Sequence, residues 1–86
     1  MSFMEIADIF KIQGRGVVVV GKIIQGSFKI NDTVKVRGNN IDMETIIIGF
    51  EVFGIMREAV ENDNVGLLLK GLNDIEIKNG YFLVKE

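Results

Sequence analysis

The apolar residues of this chain fall into short, β-branched blocks, and glycine- and asparagine-rich turns separate the blocks at nearly even intervals. Met4–Gln13 is the first strand expected, closed by Gly14-Arg15-Gly16. Val17–Ile24 is the second, and its valines and isoleucines lose less on an extended backbone than in a helix. Gly26-Ser27 and Asn31-Asp32 break the chain next, with Phe28 and Ile30 between them. Thr33–Arg37 alternates: Val34 and Val36 point one way, Thr33, Lys35 and Arg37 the other. Gly38-Asn39-Asn40 reads as a turn, because Gly and Asn tolerate positive φ. Asp42–Phe53 is a longer strand, followed after the Asn62-Asp63-Asn64 turn by Val65–Lys70. Asn79-Gly80 then opens the last strand, Tyr81–Lys85.

Six strands in 86 residues make one domain, 1–86, and an antiparallel all-β fold. With no proline, every strand can donate to ladders on both sides. Closure into a barrel is favoured by Val17–Val20, Ile46–Ile48 and Leu67–Leu69, which are apolar at consecutive positions. Strict alternation buries only half of each run, so the other half must meet a loop, a second layer or another protein. Helical spacing occurs only in Ile55–Glu61, where Ile55 and Ala59, and Met56 and Val60, lie one turn apart; two turns are marginal alone. Phe10, Phe28, Phe50, Phe53 and Phe82 sit in strand contexts and are expected in the core.

What is missing excludes much chemistry. The chain has no Cys and no His, hence no disulfide, zinc knuckle, thiol nucleophile, Ser-His triad or imidazole ligand. Glu58, Glu61 and Asp63 lack the alternating oxygens and central Gly of a calcium loop. No acid–base or nucleophile–base pair is identifiable, so neither an enzyme nor a cofactor or metal is expected. No apolar run approaches the roughly 20 residues that span a bilayer. The N-terminal MSFMEIADIF carries acids where a signal peptide carries Lys or Arg, so a cytoplasmic protein is expected, with no membrane partner.

The net charge of −2 hides an asymmetry: residues 1–43 hold six bases and four acids, residues 44–86 four bases and eight acids. Lys11, Gln13 and Arg15 share one face by period two, as do Lys35 and Arg37. If those faces adjoin, they form a basic strip able to follow a phosphate backbone. Gly14-Arg15-Gly16 with Gly21 fits neither the dinucleotide nor the P-loop spacing, and no helix follows; it is a turn that presents an Arg.

The run Ile9-Phe10-Lys11-Ile12-Gln13-Gly14-Arg15-Gly16-Val17-Val18-Val19-Val20-Gly21-Lys22, then Gly26, Phe28-Lys29-Ile30 and Val34-Lys35-Val36, closely resembles the second domain of elongation factor Tu. That family reads V-F-x-I-x-G-R-G-T-V-V-T-G-R, then a glycine, I-K-V and E-V-x-I. Phe50-Glu51-Val52-Phe53 resembles the family's V-E-M-F, and Asp63–Gly71 its D-N-V-G-L-L-L-R-G. Asp74–Lys85 resembles its closing strand. The ordered series covers nearly the whole chain.

The resemblance implies a closed six-stranded Greek-key antiparallel barrel of the translation-factor domain 2 type. In translational GTPases this barrel is not catalytic. It helps hold the aminoacylated end of tRNA, touches ribosomal RNA, and packs against a GTPase domain. Carried over by residue, the resemblance puts Glu51 in the pocket for the terminal adenosine; joined to the basic first half of the chain, it makes Arg15, Lys35 and Arg37 the expected RNA contacts, with Phe53 beside Glu51 able to stack on a base. Gly54 stands where the family has Arg, with Arg57 three residues on, and Val17 and Val20 where it has Thr. The expected partners are therefore tRNA or rRNA, a separate GTPase or other protein chain, or a second copy in a homodimer held by the apolar runs. The absence of a P-loop, and Met1-Ser2 and Glu86 at the two ends, make a free-standing barrel the expectation. The alternative is a diverged interaction or oligomerisation barrel without RNA binding.

Overall fold

The computed structural model describes residues 1–38, 40–52, 58–60, 64–70, 77–78 and 80–86; of residues 51, 52 and 58–60 it describes the backbone. Eight strands follow one another: β1 (Ser2–Ile12), β2 (Gly16–Gln25), β3 (Ser27–Lys29), β4 (Thr33–Gly38), β5 (Ile41–Val52), β6 (Glu58–Val60), β7 (Asn64–Lys70) and β8 (Phe82–Lys85). Six of them close into an antiparallel barrel in the order β1-β2-β7-β5-β4-β8. The meander β4-β5-β7 with β8 returning beside β4 is a Greek key. The expected barrel is thus the observed one.

Alternation sorts the side chains. Met4, Ile6, Val17, Val19, Ile23, Val34, Val36, Ile47, Val65, Leu67, Leu69 and Leu83 fill one buried cluster inside the barrel. The consecutive runs resolve differently from one another. Val18 and Leu68 alternate to the outside and are partners in the β2–β7 register, yet both are buried. Ile46 and Ile48 also leave the core but stay 37% and 40% exposed.

β1 shifts register between Ile6 and Asp8, and Ala7 is the extra residue. The bulge passes the inward position from even to odd numbers, so Ile9 packs against the core while Phe10 stands 53% exposed. Phe10 and Phe82 are therefore not the core residues expected of them. Phe82 alternates with the buried Leu83 and so faces out. Phe28 is fully buried and Phe50 partly so; Phe53 lies outside the described residues.

The two-stranded pairing of β3 with β6 was not expected. It replaces helix over residues 58–60, whose backbone bonds go to Ser27–Lys29 instead; the rest of the Ile55–Glu61 segment lies outside the described residues. A short helix with few of its own bonds loses to a partner strand. Next to this pair, the turn Lys29–Asp32 is closed by the Asp32 amide donating to the Lys29 carbonyl (3.1 Å), with Asn31 at φ 75°. Asn tolerates that conformation, as the turn requires.

Candidate nucleic-acid interface

β4 places Lys35 and Arg37 on the outside of the barrel, because Val34 and Val36 take the inside. Cross-strand pairing sets an acid against each: Lys35 faces Glu44 and Arg37 faces Asp42. Arg37 Nε donates to Asp42 Oδ1 (3.4 Å) and Nη2 donates to Glu86 Oε1 (2.7 Å). The guanidinium is held between two carboxylates, and its charge is largely met.

The same contact holds the Glu86 carboxyl below its ordinary range. The main cause is the hydrogen bond from Arg37, helped by the nearby Lys35 charge; Arg37 is correspondingly raised by Glu86. A carboxyl depressed by folding stabilises the fold above its unfolded value, near 4.3, and loses that contribution as pH falls through its folded value. We expect the Glu86 side-chain carboxyl, followed by carbon NMR, to titrate at lower pH than a free glutamate. In Arg37→Ala it should return toward the ordinary range. An unchanged titration in the variant would mean that the ion pair does not form in solution.

Arg15 occupies the β1–β2 turn. Its amide donates to the Ile12 carbonyl (3.0 Å), and Gly14 and Gly16 flank it at φ 78° and 147°. The strand has ended at Ile12, so Lys11, Gln13 and Arg15 do not form one strand face. Nor do they adjoin Lys35 and Arg37. β8 lies between β1 and β4 and pairs with β1 only over Ser2–Glu5. Lys11 stands six residues further on, about 20 Å at the usual strand rise.

Another base joins Arg15 instead. Gly16 pairs with Ile12 on one side and with Lys70 on the other, while Lys11 pairs with Val17. Lys11, Arg15 and Lys70 are all exposed at this end of the barrel. Neighbouring strands are about 4.8 Å apart, so the backbones of Lys11 and Lys70 lie some 10 Å apart across β2, with Lys11 at the inward position opposite Val17 and Lys70 facing out after the core Leu69. Lys70 was not singled out from the sequence, since only the β2–β7 pairing brings it here. Glu51 lies in β5 at a register shift between Phe50 and Val52; Phe53 is outside the described residues.

Among the described residues no group of three or more acids, His or Cys stands where it could hold a metal ion. No buried side-chain nitrogen or oxygen among them lacks a partner. The two buried hydroxyls are committed to the backbone: Ser2 Oγ accepts from the Ser27 amide (3.0 Å), and Thr45 Oγ1 donates to the Lys70 carbonyl (2.6 Å). No helix among the described residues is long and apolar enough to cross a membrane. A family model described as "Elongation factor Tu domain 2" matches residues 16–84.

Proposed function

The chain belongs to the elongation factor Tu domain 2 family, and from that premise we propose that it is a non-catalytic barrel of the translation apparatus that contacts tRNA or ribosomal RNA through its Arg15 end. The observation that carries this reading is the gathering of Lys11, Arg15 and Lys70 at one end of the barrel by strand register. Three exposed cations at one end of the barrel form an electrostatic footing that needs no base-specific contact. Lys35 and Arg37 contribute less, because acids face both. Glu51 keeps the nucleotide-pocket role on the strength of the family resemblance, with Phe53 two residues on.

Filter binding to tRNA and to rRNA fragments tests this. Affinity should fall with salt at a log–log slope of about −2 to −3, as expected when some three phosphates are neutralised. Arg15→Ala should lower affinity and flatten the slope by about one. Absence of binding at about 50 mM salt overturns the reading.

The exposed Ile46 and Ile48 on the outside of β5 support a second reading, in which a separate GTPase or other protein covers that strand. A protein complex that survives high salt, recovered without RNA, would favour it over the first.

A further inference from the structure

Three neighbouring strands build one face on the outside of the barrel. The inside takes Met4 of β1, Leu83 of β8 and Val36 of β4, so Phe3, Glu5, Phe82, Val84, Lys35 and Arg37 point out. Register sets these in two rows across the strands: Glu5, Phe82 and Arg37 in one, Phe3, Val84 and Lys35 in the other. Phe82 is 37% exposed, and its ring meets that of Phe3 edge to face with centroids 6.2 Å apart. Met1, Val84 and Arg37 join the two rings around a groove of about 260 Å³. That is below the roughly 300–1,000 Å³ of small-molecule sites, so the face suits a protein contact.

β8 divides the charges on this face. An acid, Glu5, stands on the β1 side; two bases, Lys35 and Arg37, stand on the β4 side. Glu5 is exposed, and no ion pair among the described residues uses it. Arg37 donates to Asp42 through Nε and to Glu86 through Nη2, and its guanidinium has further N–H donors to give. A face with an apolar middle and opposite charges on its two flanks complements a second copy of itself. Two copies laid face to face about a twofold axis along β8 put β1 of each over β4 of the other. Glu5 then meets Arg37 of the second copy, Phe3 meets its Lys35, and Phe82 meets its Phe82. The flanks of a barrel curve away from such a contact, and the long Glu5, Lys35 and Arg37 side chains suit the wider gap. A twofold axis across the strands fails, because it sets Lys35 against Arg37.

We propose that the protein forms a closed homodimer through this face, with Phe82 and Val84 on the axis and the Glu5–Arg37 pair made twice. The sequence led us to expect a dimer held by the consecutive apolar runs; this face uses neither Val17–Val20 nor Ile46–Ile48. Glu86, at the end of β8, is turned back onto Arg37 of its own copy, so the two carboxylates nearest the axis do not meet as bare charges. The area is small, and the dissociation constant should be roughly 0.1–1 mM. The contact involves none of Lys11, Arg15 and Lys70, so it does not rest on the RNA reading.

Light scattering of the intact protein without RNA, from roughly 10 μM to 1 mM, should show a mass rising from 9.6 kDa toward twice that value and no further. Glu5→Arg and Arg37→Glu should each stay at 9.6 kDa, because each sets like charges against one another across the axis. Mixed in equal amounts they should reach twice that mass, since both cross-axis pairs are again of opposite sign. Circular dichroism checks the barrel in each. If Arg37→Glu unfolds, cross-linking decides. The chain has no Cys, so Phe82→Cys carries the sole thiol, beside the axis, and a short bismaleimide should join two copies through it. Phe10→Cys, away from the face, should not be joined. A wild-type mass of 9.6 kDa at about 1 mM overturns the proposal. So does growth beyond the dimer, a mixture of folded variants that stays monomeric, or equal cross-linking through positions 82 and 10.

Discussion

Gly21→Ala should destabilise the protein by about 3–5 kcal/mol, the larger part of what a domain of this size has to lose. Gly21 lies in β2, paired with Ile6 on one side and Val65 on the other. A Cβ there would overlap the Glu5 carbonyl oxygen and come within 3.0 Å of its carbon and 3.3 Å of Ile6 Cα. All three atoms are backbone, belonging to a strand locked between β2 and β8, so no rotamer change relieves the overlap. Forcing β1 away would break the ladder beside the Ala7 bulge and open the packing around Met4 and Ile6. Thermal unfolding should show a midpoint lower by about 15–30 °C. Gly14→Ala is the control. Its φ is 78° but nothing lies within 4 Å of the added carbon, so only backbone strain of about 1–2 kcal/mol is expected. Gly21 is not among the positive-φ glycines, so a loss there no larger than that at Gly14 would mean that β1 yields to the added carbon at little cost.

The barrel was legible because its determinants are local. Alternation in Thr33–Arg37 and the glycine and asparagine turns place each of the six barrel strands to within two residues of its observed bounds. β3 and β6 carry only three residues each, too few to show a period, and exist because they pair with each other. Phe10 shows the limit of period two. Counting from Met4 and Ile6 puts it inside; one extra residue at position 7 puts it outside. The bulge depends on how β1 must bend against β2, which local residue preferences do not encode.

The site was less legible, for a related reason. Lys35 and Arg37 share a face, as alternation dictates, but the acids that meet them arrive from β5 and from the chain end. Lys70 comes beside Arg15 only through β2–β7 pairing across a long stretch of sequence. A basic patch on a barrel is a property of strand order. The resemblance could anticipate that order, whereas charge counting along the chain could not.

Asp32→Ala is expected to cost about 2–4 kcal/mol, because Asp32 ties together one end of the barrel. Its Oδ2 accepts from the Lys29 amide (2.9 Å) and from Lys85 Nζ (2.9 Å). Its backbone carbonyl accepts from the Ile47 amide (3.1 Å), which joins the turn to β5. The ion pair is mostly sheltered, with side-chain exposures of 21% for Lys85 and 15% for Asp32, and the Lys85 ammonium lies 5.7 Å from the centre of the fully buried Phe28 ring. Removing the carboxylate leaves that ammonium in a poorly hydrated place where, among the described residues, the Phe28 ring is its remaining contact. Asp32→Asn keeps an acceptor for the Lys29 amide and should fall between the wild type and Asp32→Ala. Lys85→Met removes the charge while keeping the apolar stem over Phe28. The double variant Asp32→Ala/Lys85→Met should therefore be more stable than the sum of the two single losses predicts, by about 1–2 kcal/mol. Urea midpoints at constant m-value measure all four proteins. Strict additivity would mean that Asp32 acts through the turn alone, with Lys85 a bystander at the barrel's end.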